Sequence, residues 1–325
     1  MDEQFGHAPV LVEEVTGLFR PVPAGVIVDA TVGGAGHAVA LLESRTDISV
    51  LGVDRDPAAV EVARSRLARF GGRAVVVRGV FAELENVVGD ALGRLPDSKG
   101  DIVGILFDLG VSSPQLDRPE RGFSYRHDAP LDMRMDSGQS LTAAEVVNTY
   151  DEDRLTGIIR DYGEERFARP IVRRIMEARP LSTTRELVDV VRDAVPARAR
   201  RKGSPARLTF QAIRMEVNRE LPNLAEGLDE SVRLVSPGGR VVAIAYHSLE
   251  DRMVKERFLD ITEVDSLPVQ RTDEGDQPEF ERVTTRALKA RDDEVAANPR
   301  SRSARLRAVE RLRRRRSHDV AQGVG

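Results

Sequence analysis

The sequence contains no cysteine, and this absence removes several classes of site at once. Disulfide bonds, thiolate zinc sites and cysteine nucleophiles all require a thiol. The five histidines are scattered along the chain without metal-ligand spacing, so we predict no metal site. Chemistry that needs no covalent nucleophile is consistent with this composition.

Long apolar segments are also missing. Although 41% of the residues are hydrophobic, no run approaches the roughly 20 residues that span a bilayer. We recognise no signal peptide either. The sequence therefore predicts a protein that has no contact with a membrane and works in the cytoplasm.

The net charge of −4 is distributed unevenly. Arginine crowds residues 198–207 and 300–316, whereas acidic residues are spread through the rest of the chain. Local basic patches contact phosphate groups even when the total charge is negative. Both segments are therefore candidate phosphate contacts, with solvated surface as the alternative. Part of the second segment, residues 304–308, alternates as a half-buried strand does.

Short apolar segments alternate with helical patterns. The predicted strands are residues 26–29, 48–54, 73–78, 101–109 and 240–246. After the second of these, Asp56 is placed to cap a helix that has Pro57 in its first turn. Strands that alternate with helices predict an α/β fold with a doubly wound parallel sheet.

The interval between the fourth and fifth predicted strands is about 130 residues, far longer than an ordinary crossover connection. Its apolar spacing is helical, and Thr142 with Glu145 and Thr183 with Glu186 are typical of capping boxes. The spacing over residues 209–235 suits helices that lead into the fifth strand. We therefore predict an inserted helical domain, residues 117–207, within a main domain of residues 1–116 and 208–325.

Ligands of such sheets bind beyond the carboxyl ends of the strands. After the first strand comes a glycine-rich turn with Gly33, Gly34 and Gly36, where backbone N–H groups can approach a nucleotide-like ligand. Asp54 ends the second strand about 20 residues later, as an acid that binds ribose hydroxyls does. The alternative for Asp54 is a helix cap, but Asp56 already provides one. The turn is not a full dinucleotide fingerprint, because Val39 stands at its third glycine position.

Two further strand ends complete the predicted site. Phe81 follows the third strand, as an apolar wall for adenine or as a core residue. Asp108 ends the fourth strand and is followed by Ser113 and Pro114. Methyltransferases that act on amino groups have a short polar residue and a proline here, where side chain and carbonyl accept hydrogen bonds from an exocyclic amine. We predict these three as catalytic residues; the alternative for the last two is an ordinary turn.

Several ordered segments carry a resemblance to one family, the bacterial 16S ribosomal RNA cytosine-N4 methyltransferases, and the match spans nearly the whole chain. These segments are residues 7–11, 29–37, 54–57, 108–117, 121–124, 130–135, 162–167, 247–252 and 298–300. The resemblance implies a Rossmann-like class I methyltransferase sheet and an inserted helical domain that recognises RNA. It also implies S-adenosylmethionine as the cofactor.

The resemblance also implies site residues. Those expected to line the cofactor site, together with Gly33 of the glycine turn, are Ala35, Gly36, His37, Asp54, Phe81, Asp108 and Gln115. We expect the target cytidine to be flipped into the cleft above Asp108. Phe123 or Tyr125 would stack on it, with packing in the inserted domain as the alternative. His247 would line the substrate entrance; its alternative is a turn into a helix capped by Ser248.

The expected partner is 16S ribosomal RNA within the small ribosomal subunit, and the sequence leaves a homodimer open. Two other classes compete with this interpretation. An NAD-dependent oxidoreductase would use the same glycine turn and Asp54, but it gives no purpose to Ser113 and Pro114. A non-catalytic RNA-binding protein would not need Asp54, Asp108 and Gln115 together.

Overall fold

The computed structural model describes residues 9–95, 100–111, 115, 118–197, 204–263 and 279–313. The contacts between residues divide the chain into two compact units. The sheet unit comprises residues 8–54, 59–110 and 225–325, and the helical unit comprises residues 1–7, 55–58 and 111–224. Among the described residues, no helix is both long enough and apolar enough to cross a bilayer.

The sheet has seven strands in the order β3-β2-β1-β4-β5-β7-β6. Their bounds are β1 Gly25–Asp29, β2 Ile48–Asp54, β3 Ala74–Arg78, β4 Ile102–Asp108, β5 Arg240–Ala245, β6 Phe280–Arg282 and β7 Arg305–Arg311. The first five are parallel, and β7 runs antiparallel to both β5 and β6. The order reverses where β1 lies beside β4, which makes this point the switch point of a doubly wound sheet. The predicted fold class is confirmed.

The five predicted parallel strands and the final strand at residues 304–308 are present, whereas β6 was not predicted. Every residue of β1 is buried, as are the first six of β2 and of β4. Such continuous apolar runs are typical of parallel strands covered on both faces. By contrast, β6 has three residues, of which only Phe280 is buried. A strand this short gives no periodicity to recognise.

Some helices pack against the sheet, and others form the helical unit. Their bounds are α1 Val12–Phe19, α2 Gly36–Ser44, α3 Pro57–Leu67, α4 Leu84–Leu92, α5 Ala143–Thr149, α6 Glu152–Asp161, α7 Ala168–Ala178, α8 Thr184–Ala194, α9 Ala206–Asn218, α10 Glu220–Leu234, α11 Ser248–Asp260 and α12 Asp292–Ala297. Apolar residues of α1, α2 and α3 form one core cluster with residues of the sheet. In β4, a Cβ on Gly104 would lie 2.6 Å from the Phe19 ring, so the absence of a side chain there lets α1 pack closely.

The helical unit has a core of its own, formed by residues of α5 to α9 and of the segments that precede and join them. Both predicted capping boxes are confirmed, at Thr142 with Glu145 and at Thr183 with Glu186. The unit extends to residue 224, whereas we placed its end at residue 207. The reason is α9, whose apolar face packs against α5, α6 and α8. Periodicity shows that a helix has a buried face, but it does not identify the neighbour that buries it.

Asn218, the last residue of α9, connects this helix to the segment at residues 133–135. Its side-chain amide donates to the Met133 carbonyl at 2.8 Å, and its side-chain oxygen accepts the Met135 N–H at 2.8 Å. The side chain is fully buried. Met133 has a left-handed backbone with φ of +58°, so these hydrogen bonds hold a turn that a non-glycine residue adopts at a cost.

We expect Asn218→Ala to lower the free energy of unfolding of the helical unit by about 2 to 4 kcal/mol, because it leaves buried backbone groups without partners. Urea unfolding followed by circular dichroism measures the change. The control is Asn86→Ala, an exposed position on α4, with an expected change within about 0.5 kcal/mol. Equal stabilities of the two variants would contradict the role assigned to Asn218.

Candidate cofactor site at the carboxyl ends of the strands

The glycine-rich turn after β1 leads directly into the first turn of α2. Gly33 and Ala35 have left-handed backbones, with φ of +47° and +61°. Ala35 is the N-cap of α2 and has no side chain that could cap the helix. The N–H groups of the first turn have no acceptor within a helix, and they carry the positive end of its dipole. A Cβ on Gly36 would lie 3.2 Å from the Pro9 side chain, so glycine suits this close approach.

Asp54 lies directly against this turn. Its Oδ2 accepts the N–H of Gly33 at 2.9 Å, and the Val32 N–H donates to the Val53 carbonyl at the same distance. The structure thus brings together Asp54 and the glycine turn, as the sequence predicted. Asp56 accepts the N–H of Ala58 at 3.0 Å, so the predicted cap of α3 is confirmed.

The carboxylate of Asp108, at the end of β4, has one hydrogen-bond donor and one neighbouring imidazole in the sheet unit. The Tyr246 hydroxyl donates to Oδ1 at 2.7 Å, and Nε2 of His37 lies 3.4 Å from Oδ2. The Asp108 N–H donates to Oγ1 of Thr31 at 2.6 Å. The side chain of Asp108 is 25% exposed, so a bound molecule can still reach it.

A second, fully buried carboxylate stands beside this group. Burial raises the pKa of Asp29 to about 7, against the opposing effect of His37. Burial by itself would lower the pKa of His37, but the Asp108 and Asp29 carboxylates outweigh it and raise that pKa above its usual value. Burial and the Asp108 charge also raise the pKa of the Tyr246 hydroxyl. The site therefore favours a protonated imidazole and a neutral phenol around Asp108.

Phe81 is half-buried in the sheet unit. Its ring meets the Phe107 ring edge to face, with 5.7 Å between centroids. A Cβ on Gly227 of α10 would lie 2.8 Å from the Phe81 ring. This environment matches the core alternative, and contact with adenine stays a prediction.

Gln115 belongs to the helical unit and is buried there. Its amide donates to Oδ2 of Asp56 at 3.0 Å, and Arg121 contacts the same oxygen at 3.1 Å. Arg121 also donates to the carbonyls of Arg134 and Met135. Ser113 and Pro114, the other two predicted catalytic residues, lie outside the described residues.

The two aromatic residues predicted to stack on the substrate lie in the helical unit. Phe123 is only 6% exposed and belongs to its core. Tyr125 meets the Phe210 ring edge to face, with 6.0 Å between centroids. The packing alternative describes both residues here, and stacking on a base stays a prediction.

His247 is the N-cap of α11, so the alternative in which Ser248 caps this helix is wrong, and a place of His247 at the substrate entrance stays a prediction. The Glu250 N–H donates to Nδ1 of His247 at 3.4 Å, and the Glu250 carboxylate accepts the His247 N–H at 3.3 Å. Histidine thus replaces the usual serine or threonine of a capping box. A site of this kind shows no signal in residue preferences, because histidine is not among the favoured caps.

Of the predicted phosphate contacts, residues 198–203 and 314–316 lie outside the described residues. Within β7, Arg307 pairs with Asp251 at 2.7 Å and Arg311 with Glu279 at 3.4 Å. These two arginines therefore have carboxylate partners within the sheet unit.

Sequence reasoning missed Thr31 and Tyr246. Thr31 follows the first predicted strand and Tyr246 is the last residue of the fifth, so the rule that ligands bind at strand ends contained the signal for them. Neither residue type is associated with a cofactor at its position, and their shared contact with Asp108 depends on which strands are neighbours.

Comparison with known proteins identifies the family to which this chain belongs. The model of the MraW methylase family matches residues 4–312. The chain is 48% identical to the ribosomal RNA small subunit methyltransferase H of Thermobifida fusca, over 94% of this chain and 94% of that protein. It is 47% identical to the protein of the same name from Symbiobacterium thermophilum, over 95% of this chain and 97% of that protein. It is 46% identical to the protein of the same name from Mycolicibacterium smegmatis, over 96% of this chain and 85% of that protein.

The raised pKa of Asp29 predicts a pH-dependent stability. Between its ordinary value of 3.8 and about 7, the folded state keeps a proton that the unfolded state releases, so stability falls as the pH rises through this window. Asn at this position has a similar shape and does not ionise. We expect Asp29→Asn to gain about 2 kcal/mol relative to wild type between pH 5 and pH 8.

Urea unfolding at the two pH values measures this gain. Asp161→Asn serves as the control, because Asp161 is exposed and its pKa is lowered by Arg160. Its difference from wild type should be the same at pH 5 and pH 8. If the difference for Asp29→Asn were also constant, Asp29 would not titrate in this range.

Proposed function

Because the chain belongs to the MraW methylase family, we propose that it methylates the N4 amine of one cytidine in the decoding region of 16S ribosomal RNA. The general activity is that of an S-adenosylmethionine-dependent ribosomal RNA methyltransferase. The base, the atom and its place in the assembled small subunit are the finer parts of the proposal. The observation that supports an amine as the acceptor is the held, partly exposed carboxylate of Asp108 at the end of β4.

The residues of the sheet unit fit S-adenosylmethionine. The first turn of α2 offers backbone donors without a side-chain cap, and Asp54 holds the turn that leads into it. Nδ1 of His37 is buried and has no hydrogen-bond partner among the described residues, as expected of an atom that a ligand satisfies. When bound, the cofactor supplies an electrophilic methyl group on a sulfonium. Asp54 is suited to accept hydrogen bonds from ribose hydroxyls.

The chemistry asked of the protein is orientation of the amine. The lone pair of the cytidine N4 amine is delocalised into the ring, so an acceptor must hold the N–H groups in the nucleophilic geometry. We assign this role to the Asp108 carboxylate, with Ser113 and Pro114 in the segment that follows. No covalent intermediate with the protein is needed, which agrees with the absence of cysteine.

The RNA part of the proposal rests on the helical unit and the basic segments. A paired base must leave its helix before an enzyme can reach its amine. The helical unit is proposed to recognise the surrounding RNA. Arginines of residues 198–207 and 300–316 would contact phosphates, which gives binding that weakens with salt.

The test is methyl transfer from labelled S-adenosylmethionine to small ribosomal subunits from cells that lack the gene. Nucleoside mass spectrometry should find N4-methylcytidine at one position. We expect Asp108→Ala to lower the rate about 100-fold or more, because the amine loses its acceptor. Asp161→Ala, which removes an exposed carboxylate of α6, should keep wild-type activity.

Label on another base or another atom of cytosine would overturn the proposed acceptor. An unchanged rate in Asp108→Ala would remove this carboxylate from the reaction. A protein that binds the cofactor but labels neither mature subunits nor assembly intermediates would point to the non-catalytic alternative.

A further inference from the structure

Tyr246 is joined to Asp108 by the shortest contact that this carboxylate makes among the described residues. The hydroxyl donates to Oδ1 at 2.7 Å, whereas Nε2 of His37 lies 3.4 Å from the other oxygen. A hydrogen bond to a charged acceptor at such a distance is one of the stronger kind. The orientation of the carboxylate therefore depends more on Tyr246 than on His37.

The backbone fixes Tyr246 in this place. Asp108 and Ile244 are paired in the β4–β5 register, and the Leu109 N–H continues the ladder to the Ile244 carbonyl at 2.9 Å. Tyr246 follows directly after β5, and its own N–H donates to the buried Glu250 carboxylate at 2.9 Å. The phenol ring is thus carried by the strand next to β4 and anchored by the first turn of α11.

The turn after β4 is shaped to receive the ring. Gly110 has φ of +92°, a conformation that side-chain-bearing residues rarely adopt. A Cβ on Gly110 would lie 3.4 Å from the Tyr246 ring, so the backbone of this turn passes close to the phenol. The ring therefore packs beside the turn that follows Asp108.

We propose that Tyr246 is a positioning residue for methyl transfer, whose hydroxyl holds the Asp108 carboxylate in its working orientation. Tyr246 does not itself need to touch the cofactor or the acceptor. The inference rests on the proposed function in giving Asp108 its place at the site, where this carboxylate is expected to contact the cofactor as well as the acceptor amine. Cofactor binding tests it separately, because binding requires no RNA acceptor.

The test is Tyr246→Phe, which keeps the ring against Gly110 and removes only the hydroxyl. We expect the affinity for S-adenosylhomocysteine, measured by calorimetry, and kcat/KM each to fall about 10-fold, as for loss of one hydrogen bond to a charged group. The matched control is Tyr150→Phe, which removes a hydroxyl bonded to Glu216 at 3.0 Å in the helical unit. Its affinity for S-adenosylhomocysteine should stay within twofold of wild type.

A double-mutant cycle distinguishes positioning from a structural role. If Tyr246 acts through Asp108, Tyr246→Phe should cause no further loss of affinity in an Asp108→Ala background. Independent losses that multiply would overturn the proposal, as would wild-type affinity in Tyr246→Phe. A loss of affinity in Tyr246→Phe together with normal binding of S-adenosylhomocysteine by Asp108→Ala would also overturn it, because Tyr246 would then not act through Asp108.

A spectroscopic measurement keeps the test independent of variant stability at position 246. The chain has four tyrosines, so ¹³Cζ labelling gives few resonances to assign. Burial and Asp108 raise the pKa of the Tyr246 phenol. In Asp108→Ala this resonance should titrate at a lower pH than in wild type, while that of Tyr150 should not move. An unchanged Tyr246 titration would contradict the contact.

Discussion

The pairing of β1 with β2 on one side and β4 on the other places three strand ends side by side, and each of these strands ends in an aspartate. Parallel strands direct their carboxyl ends to the same edge of the sheet, so the three aspartates are neighbours because their strands are adjacent. Three negative charges at one edge repel one another. The sheet unit relieves this repulsion differently at each position. Burial favours the protonated, neutral form of Asp29. The Gly33 N–H donates to Asp54, and His37 and Tyr246 lie against Asp108.

Much of this arrangement was predictable because it follows from local sequence. Wholly apolar runs that end in aspartate identify both the strands and the residues at their carboxyl ends. The two capping boxes and the helix cap at Asp56 were equally predictable, because their hydrogen bonds join residues only a few positions apart. The family resemblance then supplied the cofactor and the acceptor class, which no spacing could have supplied.

What sequence could not supply is the identity of contacts made over long separations. Tyr246 reaches Asp108 across 138 residues, and only the order of the strands makes them neighbours. For the same reason, the spacing of α9 did not show that its apolar face packs within the helical unit. The cap of α11 was missed for another reason. Residue preferences describe common caps, and this helix has an uncommon one, His247. Buried aromatic residues such as Phe123 cannot be told from binding residues by type alone.

The division of the chain also has a consequence for synthesis. The long middle segment of the helical unit, residues 111–224, is synthesised before β5 and β7. Domains generally fold as units and in the order of synthesis, so this unit can acquire its core while β4 still has one unpaired edge. The partner that steadies Asp108 arrives only with residue 246. A nascent chain therefore remains without a complete site until about three quarters of its length has been translated.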